Sequence, residues 1–264
     1  MAINISPFPI NNPGLFMIQI QTTGSDETFT LPLQAAGNYN FIVNWGDGSS
    51  EDTITAYNDP DRIHTYSVAG TYIISMKGIC TYFCFGTEGI DVTKVKKILD
   101  FVDMGFIVMN FRGCSNLTFV ASSMKKLTHL GSVAKLFEGC SSLTSIPSGI
   151  FDGSTGITIF AAAFNGCENL TSIPTDLFRY NTLVDDFSQI FRYCVKITAI
   201  PTDLFKNNTV VTNFIQTFMG CSLLIGNAPT LWLRDPEPTN HSNCFYNCTN
   251  LDNYASIPND WKGL

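Results

Sequence analysis

A heptapeptide that returns in register along the second half of the chain restricts the possible folds more than any other feature. It reads Phe111-x-Gly113-Cys114-x-x-Leu117, then Phe137-x-Gly139-Cys140-x-x-Leu143 and Phe164-x-Gly166-Cys167-x-x-Leu170. Three further copies follow: Phe191-x-Tyr193-Cys194-x-x-Ile197, Phe218-x-Gly220-Cys221-x-x-Leu224 and Phe245-x-Asn247-Cys248-x-x-Leu251. Successive cysteines advance by 26 residues once and by 27 four times. A constant period in this range predicts a solenoid, because each unit is too short to bury its apolar face except against its neighbours.

Within a unit the spacing predicts a short helix and a short strand. Asn181 or Thr182 is placed to cap a helix whose Phe187 and Phe191, four apart, share one face. Phe160 with Phe164 and Phe214 with Phe218 repeat the pair, and the glycine two residues after the second Phe fits a left-handed helix end. Tyr193 and Asn247 stand where that glycine is expected. Leu143 to Pro147 and Leu170 to Pro174 then read as strands ended by a proline, with Ile197 to Pro201 as a variant. A second apolar anchor follows at Phe151, Phe178, Phe205 and Trp232.

Nine cysteines in a repeat protein invite a disulfide reading, but six of them hold one repeat position. Equivalent residues on neighbouring coils sit about 5 Å apart with parallel Cβ vectors, whereas a disulfide needs converging ones. The expectation is a ladder of buried, reduced thiols acting as small hydrophobes, with Cys80 and Cys84 as two more. Reduced cysteines suit folding in the cytosol.

Ahead of the repeats, residues 1–14 are rich in Pro, Asn and Gly and predict an extended arm, with Phe8 and Ile10 available to attach it to a partner. Residues 15–78 alternate in short apolar runs separated by turn residues: Phe16 to Ile20, Thr28 to Leu33, Tyr39 to Trp45, Arg62 to Tyr66 and Thr71 to Met76. Such runs predict a small β-sandwich with Trp45 in its core. Trp45-Gly46-Asp47-Gly48, His64-Thr65-Tyr66 and Ala69-Gly70-Thr71-Tyr72 resemble the signature of PKD-type immunoglobulin-like domains over residues 39–78. His64 is expected to bond the turn backbone. The nearby Asp47, Glu51, Asp52, Asp59 and Asp61 lack the spacing of a calcium loop and read as solvated turns.

Residues 79–264 are expected to form the solenoid, and from about residue 90 to 264 they resemble the BspA-like leucine-rich repeats of bacterial surface proteins, in the variety with a Phe-x-x-Cys-x-x-Leu core. The expected fold is therefore mixed α/β, a small β-sandwich followed by a leucine-rich-repeat-type solenoid of 26–27 residues per coil. Val95-x-x-Ile98 opens it as an atypical end coil, and Arg234-Asp-Pro-Glu-Pro238 marks an irregular late one. The resemblance implies a curved, non-catalytic binding scaffold.

Composition narrows the partners. Charged residues are 14% of the chain and the net charge is −7, with Lys94, Lys96, Lys97, Lys125 and Lys126 as its only basic cluster. Those lysines read as solvated faces, and nothing marks a nucleic-acid surface. No apolar run approaches the ~20 residues that cross a bilayer, so membrane insertion is not expected. The first residues lack the marks of a secretory signal, which predicts synthesis and folding in the cytoplasm.

The histidines His64, His129 and His241 lie in separate segments with no nucleophile-and-acid setting, and no enzyme, cofactor or metal site is expected. His241, Cys244 and Cys248 resemble a zinc set only until the repeat claims Cys248 for the core. The exposed polar strand positions Thr144, Ser145, Thr171 and Ser172 are the candidate ligand-binding residues. The expected role is a virion component of a phage, in fibre, tail or head decoration, engaged in assembly or in host or glycan attachment. A bacterial surface adhesin domain and an intracellular protein-binding scaffold are the alternatives.

Overall fold

The computed structural model describes residues 14–86, 90–122, 124 and 127–264. The expected arm, apart from Gly14, lies outside them, as do Lys125 and Lys126.

The alternating runs form strands where they were expected: β1 (Phe16–Gln21), β2 (Glu27–Thr30), β3 (Tyr39–Asn44), β5 (Ile63–Tyr66) and β6 (Thr71–Cys80). A three-residue strand with no visible period, β4 (Asp52–Ile54), pairs with β3. Past residue 80 come β7 (Tyr82–Cys84), β8 (Val95–Asp100), β9 (Val108–Asn110) and β10 (Phe119–Val120). The largest sheet runs β10-β8-β1-β6-β3-β4, antiparallel except where β10 meets β8. Strand β2 pairs antiparallel with β5, and β7 pairs parallel with β9.

Phe16, Ile18 and Ile20 of β1 join Phe41 and Val43 of β3 and Ile74 of β6 in one core, together with Phe29 of β2 and Tyr66 of β5. These alternate positions share one face of the sheet; the opposite face of β1 and β6 is covered too, where Leu15, Met17 and Ile73 form a second small cluster. Strand β8 pairs with β1 through Ile98↔Ile18, so residues beyond 78 complete the sheet begun at residue 16.

The region after β10 departs from the expected helices and strands. Residues 121–264 have almost no regular secondary structure, and the α-helix among the described residues is α1 (Asn259–Lys262). The segment from Phe187 to Phe191 is a series of turns, with Ile190 N–H bonding Phe187 O and Arg192 N–H bonding Gln189 O. Lys135, Ala162, Gln189, Gln216 and Asn243 occupy equivalent positions and all have φ between 54° and 60°. A left-handed residue midway between the two Phe positions breaks a right-handed helix.

Four residues on, a second left-handed position follows. Gly113, Gly139, Gly166 and Gly220 have φ of 71–78°, and Tyr193 and Asn247 adopt the same conformation at 57° and 65°. The expected strands are absent too, although Thr171 N–H still bonds Thr144 O at 3.2 Å.

Besides the turn bonds inside each repeat, backbone N–H groups find partners in the next one. Phe137 N–H bonds Ala163 O at 2.7 Å, Phe164 bonds Ile190 at 2.9 Å, Phe191 bonds Thr217 at 3.0 Å and Phe218 bonds Cys244 at 2.8 Å. Isolated parallel bridges join Ser132, Ile159, Asp186, Asn213 and Asn240 in one series. Inside, Phe137, Phe164, Phe191, Phe218 and Phe245 follow one another with ring centroids 5.6–5.7 Å apart. Phe160, Phe187 and Phe214 make a second column at 5.6 and 6.0 Å. Each such ring contributes about 1.5–3 kcal/mol by burial. For the Phe245 copy the partner comes from α1: Phe245 N–H bonds Trp261 O at 2.9 Å, and the Trp261 side chain is buried.

All nine cysteines are free and buried, as expected. They are more than small hydrophobes. The thiols of Cys140, Cys167, Cys194, Cys221 and Cys248 each donate to a Phe carbonyl of the preceding repeat, Phe111, Phe137, Phe164, Phe191 and Phe218, at 3.0–3.2 Å.

A second ladder is made of amides. Ser154 Oγ donates to Met124 O at 3.0 Å, Asn181 Nδ2 to Ser154 O at 2.9 Å, and Asn208 Nδ2 to Asn181 O at 2.9 Å. In the irregular late unit Arg234 takes the next rung, donating to Asn208 O at 2.8 Å and Phe205 O at 2.7 Å. These side chains add a second donor to carbonyls such as Met124 O, Ser154 O and Asn181 O, which already accept a turn N–H from Leu127, Ile157 and Val184; a carbonyl has two lone pairs to fill.

Candidate functional surface

The residue types that ordinarily carry chemistry are absorbed into the fold. His64 Nε2 lies 2.7 Å from Asp47 Oδ2, and its ring stacks on Trp45 at 4.7 Å and 9°. Its partner is thus a carboxylate and not the turn backbone that the sequence suggested. Ser49 donates to the same carboxylate through both N–H and Oγ, at 3.0 and 2.6 Å. Serine and histidine therefore flank the acid. A nucleophilic triad needs the histidine in the middle, so that it can take the serine proton. Burial opposes the charge on Asp47, but the Ser49 and His64 bonds outweigh it and hold the carboxyl below its usual range.

Asp52 and Asp59 are similarly engaged, whereas Glu51 and Asp61 are exposed, as expected of solvated turns. Asp52 accepts from Trp45 Nε1 at 2.8 Å, and Asp59 accepts from the backbone of Thr55 and Asp61 at 3.0 and 3.2 Å. Among the described residues no group of three His, Cys, Asp or Glu is placed to hold a metal ion. His241 stacks on Trp261 at 4.5 Å, with Asp260 3.5 Å and Glu237 3.9 Å away. Cys244 and Cys248 bury their thiols in the core, so the zinc pattern does not assemble. Lys94 is not a solvated face either: it is largely buried and paired with Asp91 at 2.7 Å and Glu27 at 3.4 Å.

The polar positions chosen from sequence fare differently. Thr144, Ser145, Thr171 and Ser172 are all exposed. Thr171 sits directly beside Thr144, donating both N–H and Oγ1 to Thr144 O at 3.2 Å. The row extends further than those four residues. Thr118 donates both groups to Lys96 O of β8, and Ile225 N–H bonds Thr198 O at 2.9 Å. Thr118, Thr144, Thr171, Thr198 and Ile225 hold one repeat position, and all are exposed; backbone bonds tie Thr118 to the β8 edge, Thr171 to Thr144 and Ile225 to Thr198, with Phe119 exposed beside Thr118.

Thr118, Thr198 and Ile225 were missed by inspection of the sequence, yet their signal was present: each directly follows the Leu or Ile of the repeat heptapeptide. The row offers hydroxyls, methyls and two apolar side chains, with no carboxylate, imidazole or thiol. Its chemistry is contact and hydrogen bonding. None of the described helices is long and apolar enough to cross a membrane. No protein-family model and no curated protein matches the chain.

Proposed function

We propose that the chain is a non-catalytic display protein in which a leucine-rich-repeat-type solenoid of 26–27 residues per coil follows a PKD-like β-sandwich. Its role is as a component of a larger assembly, in the first instance a phage virion, in assembly or in attachment to a host protein or glycan. The observation that carries this is the exposed Thr118–Thr144–Thr171–Thr198 row, which holds one repeat position from the β8 edge onward while the reactive side chains face partners within the fold. Repeat arrays of this kind present extended surfaces on a rigid frame. Mass spectrometry of purified virions, run beside surface labelling of whole bacteria, tests the proposal. Peptides of this chain in the particle support it. Peptides on the cell surface and in no particle assign the chain to an adhesin instead, and peptides in neither leave an intracellular scaffold.

A further inference from the structure

A groove of about 460 Å³ opens where the sheet region meets the first repeats. Ligand pockets run from roughly 300 to 1,000 Å³. Its floor is the outward face of the β7–β9 pair, with Tyr82, Cys84 and Val108, and one wall is Ala35 and Ala36 from the loop between β2 and β3. Burial pushes the Cys84 thiol up to about 11, so at neutral pH it is an apolar surface and not a nucleophile.

Asn110, Arg112 and Lys135 supply polar groups to the groove, and Gln34 adds another next to the two alanines. Arg112 Nε forms an ion pair with Glu138 Oε2 at 2.7 Å, and Asn165 Nδ2 donates to Glu138 Oε1 at 3.2 Å, so the arginine faces a carboxylate that is itself held. Lys135 is exposed and belongs to no ion pair among the described residues. Arg112, Lys135 and Glu138 leave one uncompensated positive charge here, on a chain whose net charge is −7.

The backbone beneath the groove is already engaged. Cys84 N–H bonds Pro32 O, Phe85 N–H bonds Asn110 O and Val108 N–H bonds Thr81 O. An extended peptide would find these donors taken, so β-addition has little to offer here. What remains is recognition by side chains: an apolar floor with a tyrosine ring, two amides and a single net cation.

We propose that this groove binds a carboxylate-bearing saccharide, with its acid group against Lys135 and Arg112 and its ring over Tyr82 and Val108. The site is separate from the threonine row, and it stands or falls independently of whether the chain belongs to a virion.

The test is binding of the full chain to glucuronate-terminated oligosaccharides and to their neutral glucose-terminated counterparts, by isothermal titration. Lys135→Gln removes the charge while placing at this left-handed position the residue that Gln189 and Gln216 supply in later repeats. Losing one charge-assisted contact is expected to weaken acidic-sugar binding about tenfold. Ala36→Trp, on a different element, is expected to block the groove, and Lys206→Gln, distant from it, to change nothing. The proposal is overturned if acidic and neutral sugars behave alike, including binding of neither. It is also overturned if Lys135→Gln and Ala36→Trp both bind like the wild type.

Discussion

Asn208→Ala isolates the contribution of the amide ladder. The Asn208 side chain is fully buried, and its Nδ2 donates to Asn181 O at 2.9 Å and to Phe178 O at 3.2 Å. Alanine would remove a second donor from each carbonyl, since Asn181 O still accepts from Val184 N–H at 3.3 Å and Phe178 O from Asn181 N–H at 3.1 Å; two buried hydrogen bonds are then lost, at roughly 0.5–1.5 kcal/mol each. One term acts the other way: Asn208 Oδ1 is itself buried without a partner, so its removal returns part of the loss. The expected net destabilisation is about 1–2 kcal/mol. Asn207→Ala is the matched control. Its side chain is exposed and donates a single bond, to Arg179 O at 3.1 Å, and surface changes of this kind stay within about 0.5 kcal/mol. Urea unfolding followed by tryptophan fluorescence measures both, with the slope checked for constancy so that the midpoints can be compared. If the two neighbouring asparagines cost the same when truncated, the ladder is a geometric coincidence and contributes no stability.

Other consequences follow from the same interior. Phe164→Ala removes a ring that lies 5.6 Å from Phe137 and 5.7 Å from Phe191, and is expected to cost about 3–5 kcal/mol in the same unfolding assay. Ala162→Gly should stabilise by about 0.5–1 kcal/mol, because the φ of 55° that strains alanine suits glycine; a fall in melting temperature would contradict the left-handed assignment.

The thiols also predict a pH dependence. Burial raises Cys84 to about 11 and Cys167 and Cys248 to about 12, whereas an unfolded thiol ionises near 8.5. Above that lower value the unfolded chain loses protons that the folded chain keeps. Stability should be unaffected by these groups below pH ~8.5 and fall progressively towards pH ~12. Native protein at pH 8 should also resist thiol reagents until denaturant is added; rapid modification of the ladder cysteines in the native state would refute their burial.

Much of the frame was legible before any coordinates. The two-residue alternation placed β1, β3 and β6 within a few residues, because a half-buried strand shows its period directly. The 27-residue step marked which Phe, Cys and Leu side chains point inward, because a stacked repeat must put the same residue type against its copy. Position also identified Thr144 and Thr171 as neighbours on an exposed face. The three-residue β4 is too short to show a period, and the groove between the Ala35–Ala36 loop and Lys135 joins residues a hundred positions apart with no shared motif.

The sharpest divergence lies inside the repeat. Phe187 and Phe191, four apart, carry the signal of a helix face, yet Gln189 between them is left-handed and the segment is turns. Spacing records which side chains must be buried together, and both conformations bury that pair. The sequence by itself therefore determined the period, the inward residues and the reduced state of the cysteines. Only the tertiary structure decided the path of the backbone between them. Its turns leave N–H groups that bond the neighbouring repeat, while Cys thiols and the Ser154–Asn181–Asn208–Arg234 ladder add further donors to buried carbonyls, partners that are near in space and about thirty residues away in sequence.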